Sequence, residues 1–217
     1  AAGEKPLIHA AFLDVGQGDA AVLRLADQVI VVDGGGTFSE TFDIGRSVVA
    51  PYLWDQGIHR IDLMIATHPQ MDHMKGLLYL IDHFDVIEAW GNGDEEQTPL
   101  GRHFKNRLRE RGIPFFPVFQ DRPEYNRGPC RIHVLNPLFP SETEKEETAF
   151  NLNDRSVALR VMCHRVAFLL TGDIEQRGIH SLLRSGRSLE STVLKVPHHG
   201  SRGSIDPDFV SAVCPQI

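Results

Sequence analysis

The stretch Thr67-His68-Pro69-Gln70-Met71-Asp72-His73-Met74-Lys75-Gly76 constrains this chain more than any other. His68, Asp72 and His73, all strong metal ligands, fall within six residues. They follow directly on the apolar run Ile61-Asp62-Leu63-Met64-Ile65-Ala66, which reads as a buried strand. Beyond them Met74, Leu77, Leu78, Ile81 and Phe84 keep the three-four spacing of one helical face. The ligands therefore sit where a strand gives way to a helix. Taken singly, His68 reads as a strand end, Asp72 as an N-cap and His73 as a surface residue of a first turn. Together, with matching residues far downstream, they point to metal chemistry.

The chain's 217 residues, 41% of them hydrophobic, suit one domain with a real core, spanning residues 1–217. A net charge of −7 gives no support to a strongly basic nucleic-acid binder, which would want a clustered Lys/Arg surface. Cys130, Cys163 and Cys214 are widely spaced, odd in number and without a CxxC pattern, and are expected as three partly buried thiols. No apolar run approaches the roughly 18 residues of a membrane span. The start Ala1-Ala2-Gly3-Glu4-Lys5 lacks a signal-peptide layout. Both ends read as boundaries within something larger.

Along the chain, residues 8–15 and 20–25 are predicted strands joined by the turn Gly16-Gln17-Gly18-Asp19, and 29–32 is a third, ending in Asp33-Gly34-Gly35-Gly36. The spacing suggests an antiparallel meander with Asp14 and Asp19 as turn caps. A helix is expected over residues 43–57, kinked or restarted at Pro51, and another from the ligand loop to Phe84. Residues 85–90, 115–119 and 131–135 read as strands, 104–111 as a short helix, and the acidic run 141–147 as a solvated loop. Strands over 157–161 and 166–170 deliver Thr171-Gly172-Asp173, a helix covers 175–184, and 193–196 runs into Pro197-His198-His199-Gly200-Ser201.

Asp33, His68 to His73, Asp173, and the pair His198 and His199 thus lie at four strand ends. In an α/β sandwich such ends converge on one edge. Imidazole nitrogen and carboxylate oxygen are ligands for zinc or manganese, cations that activate water and stabilise negative charge on a phosphoryl or carbonyl oxygen.

Asp33, His68-x-Gln70-x-Asp72-His73, Asp173 and His198-His199 resemble the ordered motifs of the metallo-β-lactamase fold. Three stretches look like the soluble domain of the ComEC competence-protein family: Phe12-Leu13-Asp14-Val15-Gly16-Gln17-Gly18-Asp19-Ala20, Leu169-Leu170-Thr171-Gly172-Asp173, and Leu194-Lys195-Val196-Pro197-His198-His199-Gly200-Ser201. The resemblance implies a four-layer αββα sandwich with two mixed sheets, excised from a larger inner-membrane protein and with its C-terminal part missing. It implies an extracytoplasmic (periplasmic-side) soluble domain beside a DNA-uptake channel in the same polypeptide. The domain would degrade one DNA strand with metal-activated water and would need no nucleotide cofactor.

Carried over residue by residue, the resemblance assigns Asp72, His73, Asp173 and one of the tandem histidines to one metal. His199 is the favoured ligand and His198 a supporting or leaving-group contact. Asp72, Asp173 and His198 are the expected catalytic residues. Asp33 resembles the fold's buried carboxylate that ties the metal loop by hydrogen bonds. A second ion would use His68, but the family wants His or Asp where this chain has Gln70, a weak donor, so one zinc or manganese is expected rather than two. Lys195, Ser201 and Arg202 are candidate phosphate contacts. Two other readings remain open: a degenerate domain that binds DNA or the channel without cutting, and a small-molecule metallohydrolase on the same scaffold.

Overall fold

The computed structural model describes residues 8–39, 41–139 and 151–217. Two compact units divide the chain, the first ending at Pro117 and the second beginning at Val118.

In the first unit, β1 (Ile8–Phe12), β2 (Ala21–Leu25) and β3 (Gln28–Val32) form the expected antiparallel meander. A wide helical turn over Gly45–Val49 runs into α1 (Ala50–Asp55). Pro51 restarts the helix in the first turn, where its missing N–H costs nothing. The apolar run before the ligands divides into β4 (Arg60–Ile61) and β5 (Leu63–Ile65) rather than forming one strand. Asp62 explains the break, because its carboxylate accepts from the Val29 N–H at 2.9 Å while its own N–H donates to the Val29 carbonyl.

Next come α2 (Met71–His83), β6 (Asp85–Val86) and β7 (Ala89–Gly91), then α3 (Pro99–Glu110) and β8 (Phe115–Pro117). The main sheet has the order β1-β2-β3-β5-β7-β8, antiparallel to β3 and parallel beyond it, while β4 and β6 pair separately. Met74, Leu77, Leu80 and Ile81 of α2 join Val22, Val31 and Met64 in one buried cluster, which fixes the helix against the sheet. α3 starts earlier than its apolar spacing indicates. Thr98 caps it, accepting from the Gly101 N–H at 2.9 Å, and its hydroxyl donates to the Pro69 carbonyl in the ligand loop.

The second unit holds β9 (Tyr125–Arg127), β10 (Cys130–Asn136), β11 (Ala158–Cys163), β12 (Val166–Leu170), α4 (Gln176–Arg184), β13 (Val193–Lys195) and α5 (Pro207–Val213). Its sheet runs β13-β12-β11-β10-β9, with only the β12–β13 pair parallel. Both main sheets are therefore mixed. Leu135, Leu169, Ile179, Leu182, Phe209 and Val213 form its core. Sequence periodicity misses β9, whose Tyr-Asn-Arg has no alternation, and α5, a helix of seven residues marked by its Asp206 cap. The acidic run 141–147 lies outside the described residues.

The three-thiol expectation is corrected. Cys130 and Cys163 are directly opposite in the β10–β11 register, 4.2 Å apart at Cα, and form a disulfide. Their pairing follows from strand register, which spacing alone does not reveal. Cys214 is an exposed thiol. No described helix is long and apolar enough to cross a membrane.

Candidate metal centre

In the first unit the organising group is Asp33, 1% exposed, at the end of β3 with φ of 59°. Its Oδ1 accepts from the Thr67 N–H at 2.8 Å, and its Oδ2 accepts from the Thr67 hydroxyl at 2.7 Å and from His73 Nδ1 at 2.8 Å. One carboxylate thus ties the end of β3 to the ligand loop and to the first turn of α2. Burial pushes its pKa up, opposed by His73 and the Thr67 N–H.

This network sets both buried imidazoles. The single Thr67 hydroxyl proton goes to Asp33, so the Thr67 oxygen accepts from His68 Nδ1 at 3.0 Å. With both Nδ1 atoms donating, the lone pair of each ring lies on Nε2. The two rings are fully buried, with centroids 4.2 Å apart. A carboxylate that orients an imidazole in this way is the usual support of a metal-binding histidine.

Asp72 stands in the first turn of α2, its Oδ2 4.0 Å from His73 Nε2. Asp14 is an ordinary turn cap, accepting from the Gly16 N–H at 3.1 Å. Asp19 approaches the buried imidazole of His73. Its Oδ2 is 3.9 Å from His73 Nδ1, and ligand atoms of Asp19, Asp33 and His73 all lie within 4.8 Å of one another. Sequence reasoning gave Asp19 only a capping role, because its approach to His73 depends on how the turn packs. The Asp19 N–H donates to the Asp72 carbonyl at 3.3 Å, and at Gly18 an added Cβ would lie 2.2 Å from that same oxygen. Gln70 occupies the N-cap position of α2 without making a side-chain cap bond. In the loop after β7, Asn92, Asp94 and Glu95 are buried. Burial also pushes the Glu95 carboxyl up.

In the second unit the turn that follows β12 carries Asp173, 1% exposed, whose N–H donates to Ser156 Oγ at 3.1 Å. The Thr171 hydroxyl donates to the Lys195 carbonyl, joining the ends of β12 and β13. His198 and His199 both have left-handed backbone, with φ of 46° and 52°. Such conformations cost of order 1–3 kcal/mol each and concentrate at functional sites. They bring His199 Nε2 to 3.2 Å from Asp173 Oδ2, whereas His198 Nε2 is 3.9 Å away. His198 Nδ1 lies instead 3.1 Å from Glu175 Oε1, and Glu175 is itself held by the amides of Asn151 and Asn153. Asp154 anchors this corner by accepting from the N–H groups of Glu175 and Gly178, both at 2.9 Å.

Lys195 Nζ donates to the Gly172 carbonyl at 3.2 Å and sits 3.7 Å from Asp173 Oδ1, so it is engaged at the site. Ser201 and Arg202 are exposed on the turn that follows. The sequence reading gives no site role to Glu175, Asp154 or Ser156. The consecutive Asn153-Asp154 before a strand was their only local signal. Each unit therefore offers imidazole nitrogen beside carboxylate oxygen, a donor set that fits zinc or manganese.

A mixed α/β fold carrying such donors at its strand ends defines a class, and residues 13–209 match the metallo-β-lactamase superfamily, to which the chain belongs. It is 28% identical to ComE operon protein 3 of Bacillus subtilis over 222 residues, covering 94% of this chain and 27% of that protein. Competence protein ComA of Neisseria gonorrhoeae is also 28% identical, over 210 residues covering 94% of this chain and 25% of that protein. Both are members of the ComEC family. The chain spans about a quarter of the length of these relatives. Among solved structures, the short form of human tRNase Z superposes with a TM-score of 0.53 at 14% identity, covering 95% of this chain and 89% of that one. The metallo-β-lactamase fold protein YhfI of Bacillus subtilis gives 0.51 at 15% identity, covering 82% and 62%. These likenesses speak to the fold.

Proposed function

We propose that this chain is a metal-dependent phosphodiesterase domain that hydrolyses DNA during uptake by a ComEC-type channel. The observation that carries the reading is the Asp33 network, which fixes His73 and, through Thr67, His68 in the tautomer that puts the ring lone pair on Nε2. Asp72 and His73 in the first unit, and Asp173 and His199 in the second, are the residues that would serve as ligands to zinc or manganese. Such a cation supplies an ionised water near neutral pH and neutralises charge on a phosphoryl oxygen. His199 is the ligand because it approaches Asp173 more closely. His198, braced by Glu175, faces the leaving group. Asp33 and Thr67 orient, Lys195 holds Asp173 and offers a positive charge to phosphate, and Ser201 and Arg202 flank the substrate. His68 serves a second cation position that Gln70 leaves weak.

The partners are the incoming DNA and the membrane channel expected elsewhere in the same polypeptide, with no nucleotide cofactor. The Cys130–Cys163 disulfide supports placement on the periplasmic side of the inner membrane, because such bonds persist in oxidising compartments. Gln70, a weak donor at the N-cap of α2, favours a second reading, a degenerate domain that binds DNA or the channel without cutting. Elemental analysis and DNA degradation, measured after loading with manganese or zinc, separate the two. The nuclease reading expects bound metal and degradation that stops with chelator and in Asp173→Ala. Full metal loading without degradation would overturn it.

A further inference from the structure

A cavity of about 670 Å³ opens in the first unit beside Asp72 and Gln70. Its apolar walls include Phe38 and Phe42, 90% and 47% exposed, together with Val15, Ile44 and Val48. An aromatic ring left this open on a loop is costly to keep in water, and here it borders a proposed metal ligand. The residues beside the rings are tied down: Lys75 Nζ donates to the carbonyls of Thr37 at 2.6 Å and Ser39 at 2.7 Å, and the Phe42 N–H donates to Ser39 Oγ at 3.0 Å.

The charge of the walls decides what enters. Among the described residues that line the cavity, Asp14 and Asp72 are acidic and none is a lysine or arginine, so these walls repel phosphate and favour an uncharged flat group. Gln17, Thr37 and Gln70 add donors and acceptors at the rim, suited to the edge of a base. Bases in a duplex are already stacked and paired; those of a single strand are available to an aromatic platform.

We infer that this cavity is a base-stacking subsite that seats one unpaired nucleobase on Phe38 and Phe42 and so selects single-stranded over duplex DNA. The inference rests on the phosphodiesterase reading, since it places the base next to the phosphate that faces Asp72. Binding through this subsite depends weakly on salt, because stacking rather than phosphate contact carries it.

The test is fluorescence anisotropy on the manganese-loaded protein, using hydrolysis-resistant phosphorothioate strands: oligothymidylate, an abasic strand of equal length and the corresponding duplex. Oligothymidylate should bind more tightly than the other two. Phe38→Ala and Phe42→Ala should each weaken it about five- to hundred-fold while leaving the abasic strand unchanged, and Phe38→Trp should retain the preference. Equal affinity for thymidylate and abasic strands would overturn the subsite, as would no binding to either, or an equal loss on both in the alanine variants. Cleavage of ordinary DNA, followed separately, tells the two readings apart. Base-dependent binding without cleavage removes the nuclease and leaves the subsite; cleavage without base dependence does the reverse.

Discussion

At the scale of single residues, Asp33 shows how one carboxylate holds a site together. Its three accepted hydrogen bonds are all buried, so Asp33→Ala strands the Thr67 and His73 donors without a partner. Leaving buried groups unmatched in this way costs about 3–5 kcal/mol. It also frees both imidazoles to rotate, and metal affinity should fall about 10- to 100-fold. Urea unfolding and a competitive zinc titration check the two effects; unchanged metal affinity would refute the orienting role. Glu95 makes the opposite contribution. Burial raises its pKa in the folded state, so its contribution to stability is fully present below the unfolded-state value and is lost as the pH rises through the folded one. Glu95→Gln keeps an oxygen for the Gly93 N–H and removes the charge. The variant should match wild type in acid and unfold at a higher temperature near pH 7, which thermal melts across pH will show.

At the scale of elements, α2 is where helix propensity and packing give opposite answers. Gly76 lies inside this helix, where replacing glycine by alanine ordinarily stabilises by about 1 kcal/mol. Here an added Cβ would stand 2.0 Å from the Gly34 carbonyl oxygen, a backbone atom held by the end of β3. Overpacking of this kind costs typically 1–3 kcal/mol or more, so Gly76→Ala should destabilise on balance, read from the denaturant midpoint. The N-terminus of α2 gives a second test. Asp or Asn at position 70 supplies the side-chain cap that Gln70 does not make, and caps are worth about 1 kcal/mol. Both Gln70→Asp and Gln70→Asn should therefore raise stability, but only the carboxylate should raise the zinc or manganese content toward two ions per chain. Two ions in wild type would show that Gln70 does not weaken the second position.

At the scale of the molecule, what the sequence disclosed follows the range of the interactions. His68, Asp72, His73, Asp173 and the tandem histidines were legible because each sits at a local change of period, strand to turn to helix. Asp19 beside His73, Ser156 under Asp173 and Glu175 against His198 were not, since turns and strands distant in sequence bring them together. The split of β4 from β5 escaped for the same reason: Asp62 bonds Val29, 33 residues away. Cys130–Cys163 is another long-range link, within the second unit, joining residues 33 apart in sequence. Closing a loop of that length removes denatured-state entropy worth roughly 3–4 kcal/mol on the chain-entropy model. Cys130→Ala with Cys163→Ala should therefore lower stability by about 2–4 kcal/mol and steepen the urea dependence, because the unlinked chain expands further when unfolded. The same bond bears on where the protein folds. Expressed with export to an oxidising compartment, the protein should resist alkylation at Cys130 and Cys163 while Cys214 reacts. Made in a reducing cytoplasm, all three should be alkylated on unfolding, with the midpoint shifted toward that of the double variant. If stability proved identical in the two forms, the disulfide would be incidental to the fold and would no longer support folding outside the cytoplasm.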